Sequence, residues 1–152
     1  MNVTFHPLLR FLYTVAAATA LFTGFGNMPL WKRYYVADVP GLGWSGNFFI
    51  NVNVHILAGS LLMALAVYAA IGALAVGHRN GGRLTFFGKA KGALLALALA
   101  TGILMVVKNL PGFSFSMPAL IIFNFTHMAA AVLFLLVSLA ALVSRQPWRH
   151  PR

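Results

Sequence analysis

The chain has 152 residues, of which 61% are hydrophobic and only 8% charged, and it contains no cysteine. A soluble domain carries about a quarter charged residues, so this composition describes an integral membrane protein. The formal charge of +10 arises from 11 Lys and Arg against one acid, Asp38. In a soluble chain that balance would indicate nucleic acid. Here the basic residues fall in the connections between apolar runs, where the positive-inside rule and anionic membrane lipid account for them, and no nucleic-acid partner is expected. Without cysteine the chain can hold no disulfide or iron–sulfur cluster and perform no thiol chemistry.

Four apolar runs follow in order. The first, Leu8 to about Gly26, carries Arg10 near its start and Thr23-Gly24 near its end. It has the ~20 residues needed to cross hydrocarbon and is expected to be too long a run for a cleavable signal peptide. Residues 27–47 hold Trp31, Tyr34, Tyr35, Trp44, prolines and glycines. Aromatics of this kind place the loop on the bilayer surface. The second helix is expected over about Phe48–Gly77, and the connection after it carries Arg79, Arg83 and an Asn80-Gly81-Gly82 turn signal. The third spans about Lys89–Lys108 and is closed by Pro111 and Gly112. The fourth starts at Pro118, a good first-turn residue, and runs to about Ser144. The expectation is one all-α domain, a four-transmembrane-helix bundle with both termini on one side. That side holds Arg10, Arg79, Arg83, Lys89, Lys91, Arg145, Arg149 and Arg152, against Lys32, Arg33 and Lys108 opposite. Eight basic residues against three set the termini in the cytoplasm.

Two histidines stand inside apolar runs. His55 lies in Asn51-Val52-Asn53-Val54-His55-Ile56-Leu57-Ala58-Gly59, and His127 in Phe123-Asn124-Phe125-Thr126-His127-Met128-Ala129-Ala130. An imidazole at that depth is costly unless something holds it, which makes each a candidate site residue. The second and fourth helices run in the same direction, and each histidine falls roughly 9–14 Å below its helix start. Asn51, His55 and Gly59 share a face, as do Asn124, His127 and Ala131. Two imidazoles on separate helices form the ligand set of a bis-imidazole metal site, in a membrane most often haem. Gly59 would leave room for a porphyrin, and Lys32, Arg33 and Lys108 would face its propionates. The bland alternative is a hydrogen-bonded packing histidine, worth about 0.6 kcal/mol inside a membrane. His6, His78 and His150 lie in polar termini or connections and read as solvated. Thr23-Gly24 and Thr101-Gly102, in corresponding places on the first and third helices, read as positions of close helix approach.

The whole pattern resembles the four-helix cytochrome b subunits of respiratory complexes, the group of the formate dehydrogenase gamma subunit and of the nickel–iron hydrogenase and thiosulfate reductase cytochromes. Arg10-Phe11-Leu12-Tyr13 with Thr23-Gly24 is similar to that family's R-x-x-H-W … T-G. His55 and Gly59 match its H-x-x-x-G, Gly88-Lys89-Ala90-Lys91 resembles its G-Q-K, and His127 matches the first histidine of its fourth helix. The family usually holds two haems. His55 and His127 correspond to the ligands of the outer one. At the inner one the helix 1 ligand is replaced by Tyr13, and no histidine stands near Ala140-Ala141.

The resemblance therefore implies a one-haem variant. It would bind haem b through His55 and His127, with Asn51, Gly59, Asn124, Arg33 and Lys108 around the cofactor. It would sit in a bacterial inner membrane, exchange electrons with a periplasmic iron–sulfur or cytochrome c subunit and with quinone, and belong to a complex whose catalytic subunit is another chain. A haem-free membrane anchor or assembly subunit is the alternative. A transporter or proton channel is disfavoured because Asp38, the one acid, lies in a loop.

Overall fold

A computed structural model describes residues 6–28, 31, 35–80 and 84–145, except the side chains of 73–80. Among these residues the protein is all-helical, with four long helices: α1 Pro7–Gly26, α2 Phe48–Asn80, α3 Phe86–Val107 and α4 Met117–Val143. Each is long and apolar enough to cross a membrane, so the chain is a multi-pass membrane protein. It divides into two compact units, Met1–His78 and Arg79–Arg152. Each unit is an antiparallel helix pair.

The helix limits follow from local chemistry. Pro7 opens α1, where its missing N–H costs nothing, and the His6 ring accepts from the Leu8 N–H at 3.3 Å. His6 is thus a cap rather than a merely solvated side chain. Asn47 starts α2: its Oδ1 accepts from the Phe49 and Ile50 N–H groups at 3.1 and 3.2 Å. The helix then runs 33 residues, about 50 Å, and so continues beyond ~30 Å of hydrocarbon. It passes Gly77, the expected end, because His78 and Arg79 are polar but compatible with helix, and it is described as far as Asn80. Helix α3 begins three residues before Lys89 because the Thr85 hydroxyl accepts from the Gly88 N–H at 3.1 Å. Pro118 stands in the first turn of α4, as its sequence predicts.

In the first unit the loop between the helices is folded. Two short 3-10 turns, Val36–Asp38 and Gly43–Gly46, occupy it. The Trp31 indole donates to the Ser45 hydroxyl at 2.9 Å, and that buried hydroxyl donates to the Leu42 carbonyl at 2.6 Å. Phe22 of α1 meets Trp31 edge-on at 5.0 Å between ring centres and Trp44 at 5.8 Å. The aromatic loop is therefore built onto the end of α1. Gly41 turns the chain at φ +88, which only glycine adopts freely.

A buried amide helps fasten α2 to that same end. Asn51 is wholly buried, and its amide donates to the Thr23 carbonyl and to Asn27 Oδ1, both at 2.8 Å. The Thr23 carbonyl also accepts from the Asn27 N–H at 3.0 Å, so the Asn51 amide adds a second bond in the last turn of α1. Gly26 leaves the room: a Cβ there would fall 2.9 Å from the Asn51 amide. Asn51→Ala removes both bonds, and unfolding in detergent should become easier by about 1–2 kcal/mol, whereas Asn53→Ala, on an exposed position of the same turn, should leave the melting midpoint unchanged.

Candidate functional site: two clamped histidines

His55 lies seven residues into α2, about 10 Å along the helix, and His127 ten residues into α4, about 15 Å. Both rings are half-buried. Each turns towards the other helix of its own pair. His55 Nδ1 stands 3.0 Å from the Ala20 carbonyl and 3.1 Å from Thr23 Oγ1. His127 Nδ1 stands 2.9 Å from the Ala98 carbonyl and 3.2 Å from Thr101 Oγ1. The two arrangements agree atom for atom.

The partners settle which way the protons run. A carbonyl oxygen only accepts, so Nδ1 carries the hydrogen in both rings. Each threonine hydroxyl spends its own proton on the carbonyl one turn back, Thr19 at 2.6 Å and Leu97 at 2.7 Å. The hydroxyl oxygen is thereby left to accept from the imidazole. With Nδ1 protonated, a neutral ring carries its lone pair on Nε2, the form in which histidine ligates a metal.

Glycine makes the approach possible. A Cβ on Gly24 would fall 3.2 Å from His55 Cε1, and one on Gly102 would fall 3.2 Å from His127 Cε1. Close helix approach at the two Thr-Gly pairs is borne out, and it serves the imidazoles. Both carbonyls belong to the neighbouring helix, which brings its backbone near enough because glycine adds no side chain. Sequence reasoning also passed over the repetition that marks the clamp. Ala20-Leu21-Phe22-Thr23-Gly24 recurs as Ala98-Leu99-Ala100-Thr101-Gly102, and each histidine is followed three residues later by a buried alanine, Ala58 and Ala130.

The remaining expected site residues are dispersed. Asn51 shares the α1-facing side of α2 with His55, but its amide is committed to α1; its Oδ1 finds no hydrogen-bond partner among the described residues. A Cβ on Gly59 would meet nothing within 4 Å, as at Gly72 and Gly92. In the second unit Lys108 and Asn124 come together on a shallow groove of about 190 Å³, with Met105, Leu120 and Ile121. Lys32 and Arg33, expected near the propionates, lie outside the described residues. Among the described residues no three metal-ligating side chains of the His, Cys, Asp and Glu type gather. Axial ligation of a haem asks for two.

The clamp geometry predicts the response to crowding. Gly24→Ala should displace only the His55 ring and Gly102→Ala only the His127 ring, each costing about 1–3 kcal/mol of stability. Thermal melts together with the two assigned imidazole NMR signals measure both effects, with Gly92→Ala, whose Cβ would enter open space, as the neutral control.

Comparison of the chain with protein-family models, with curated proteins and with solved structures returns no match, so its functional reading rests on these residues and their geometry.

Proposed function

We propose that the protein is a small b-type cytochrome, a one-haem membrane subunit that relays electrons within a respiratory complex. One imidazole from each helix pair, His55 and His127, would ligate the iron. What supports the reading is the duplicated clamp. Each ring is held in the tautomer that keeps Nε2 basic, and ligating histidines in general donate their other N–H to a carbonyl or carboxylate. The donor set fits the group: two neutral imidazoles, and beside Gly59 an unfilled space on the His55 helix. Bound haem b supplies a one-electron couple. The chain's own residues orient the ligands, surround them with apolar helices and offer cations for the propionates, Lys108 beside Asn124 among them.

In this reading both termini lie in the cytoplasm, the membrane is a bacterial inner membrane, and both histidines stand in its outer half. A periplasmic iron–sulfur or cytochrome c subunit docks on the outer connections, residues 27–47 with 109–117. Quinone exchanges electrons with the haem, and the catalytic subunit is a separate chain. Electron transfer needs short gaps, and these connections are nearest the histidines. A 21-residue loop is also longer than a plain helix connection of 2–8 residues, which tends to mark function.

Purified full-length protein should show a Soret band with a low-spin bis-imidazole spectrum at one haem per chain. His55→Ala and His127→Ala should each abolish it. A protein that takes up no haem when the cofactor is supplied is instead a haem-free anchor, its histidines serving packing alone.

Two further outcomes belong to the same reading. Gly59→Ala should leave the melt of the haem-free protein unchanged yet weaken haem retention at least several-fold, since it fills space no protein atom uses. Neutralising Lys32, Arg33 and Lys108 together should shift the midpoint potential or loosen the haem. A redox titration identical to the parent's would place the propionates elsewhere.

A further inference from the structure

Besides the histidines themselves, one feature occurs twice with nearly the same distances. A carbonyl, a threonine hydroxyl and a glycine, in the order Ala-x-x-Thr-Gly, face an imidazole on the next helix. Packing alone does not require this. The imidazole N–H is satisfied by the Ala carbonyl at 2.9–3.0 Å, so a second acceptor at 3.1–3.2 Å adds little to stability. It does two other things. It flanks the N–H from a second direction and so restricts rotation of the ring about its Cβ–Cγ bond. It also draws the Nδ1 proton further from the ring, raising electron density at Nε2.

We propose that Thr23 and Thr101 are positioning residues, one in each helix unit, that fix the plane and strengthen the Nε2 electron donor of the His55 and His127 imidazoles for iron ligation. The Ala20 and Ala98 carbonyls set the tautomer, and the threonines set ring orientation and donor strength. Both hydroxyl groups are oriented for acceptance because their protons are held by the Thr19 and Leu97 carbonyls. Burial supports this role: Thr23 is 0% and Thr101 6% exposed, so no water competes for the hydroxyl oxygen. The chemistry toward iron rests on the haem reading, whereas the tautomer and the ring restraint do not.

The sign of the effect follows. A stronger electron-donating ligand favours ferric over ferrous iron, so the clamp would hold the midpoint potential down. Thr→Val keeps the shape of the side chain and removes the acceptor; Thr→Ser keeps the acceptor and loses a methyl group.

The test uses the full chain in detergent. In haem-free protein labelled with 15N-histidine, His55 and His127 should both give a protonated, pyrrole-type Nδ1 and a lone-pair, pyridine-type Nε2. In haem-loaded protein, Thr23→Val and Thr101→Val should each move the midpoint to higher potential and change the g-anisotropy of the low-spin ferric signal. Thr23→Ser and Thr101→Ser should restore both parental values. An Nε2–H tautomer in either ring overturns the clamp. So does a pair of Val variants that bind haem with unchanged potential and g-values, or a Ser variant that behaves like Val. Should the chain take up no haem, the haem reading fails alone, and the 15N measurement still decides the clamp: ring nitrogen signals of Thr23→Val and Thr101→Val indistinguishable from the parent's would overturn it.

Discussion

A ring N–H within a membrane must find an acceptor, and in both helix pairs the acceptor is a backbone carbonyl of the adjacent helix. Much of the local sequence answers to that one contact. For the Ala20 carbonyl to reach His55, the backbone of α1 must come close, and Gly24 permits it; Gly102 does the same for Ala98 and His127. The threonine between carbonyl and glycine must not compete for the bond as a donor. It returns its proton to its own helix instead. Three residues beyond each histidine, a small buried alanine keeps the interface narrow.

The two units differ in what surrounds this common element. In the first, Asn51 ties α2 to the C-terminal carbonyl of α1, and a loop of 3-10 turns is pinned by Trp31, Ser45 and Phe22. In the second, the connection is short, turns at Gly112 with φ +85, and leaves a groove between Lys108 and Asn124. The same imidazole geometry thus survives two different ways of joining the helices. That separates what the histidines need from what each loop happens to supply.

The helices were legible because hydrophobic run length is a strong signal and membrane backbone has few alternatives. Their ends were legible where a cap was visible, as at Pro7 and Pro118. At Thr85 the capping hydroxyl precedes a Phe-Phe-Gly run that reads as loop, so the start of α3 fell three residues late. The histidines announced themselves through the cost of burying an imidazole. Their partners did not, because a backbone carbonyl has no letter of its own, and which carbonyl a ring meets depends on helix pairing. Asn51 shows the converse. Its spacing from His55 correctly put both on one face, yet spacing cannot tell an amide that faces a cofactor from one that seals a helix end.

The bonds from His55 to Ala20 and Thr23 close over at most 35 residues, and those from His127 to Ala98 and Thr101 over at most 29. The Ala and Thr acceptors of each clamp lie in the same hairpin as its histidine. During synthesis the first imidazole can be set as soon as α1 and α2 are in the bilayer, while the second half of the chain is still being made. Short closures of this kind form early and rapidly. Each hairpin then supplies these acceptors for its own imidazole, so a lesion in one half leaves these bonds of the other half in place.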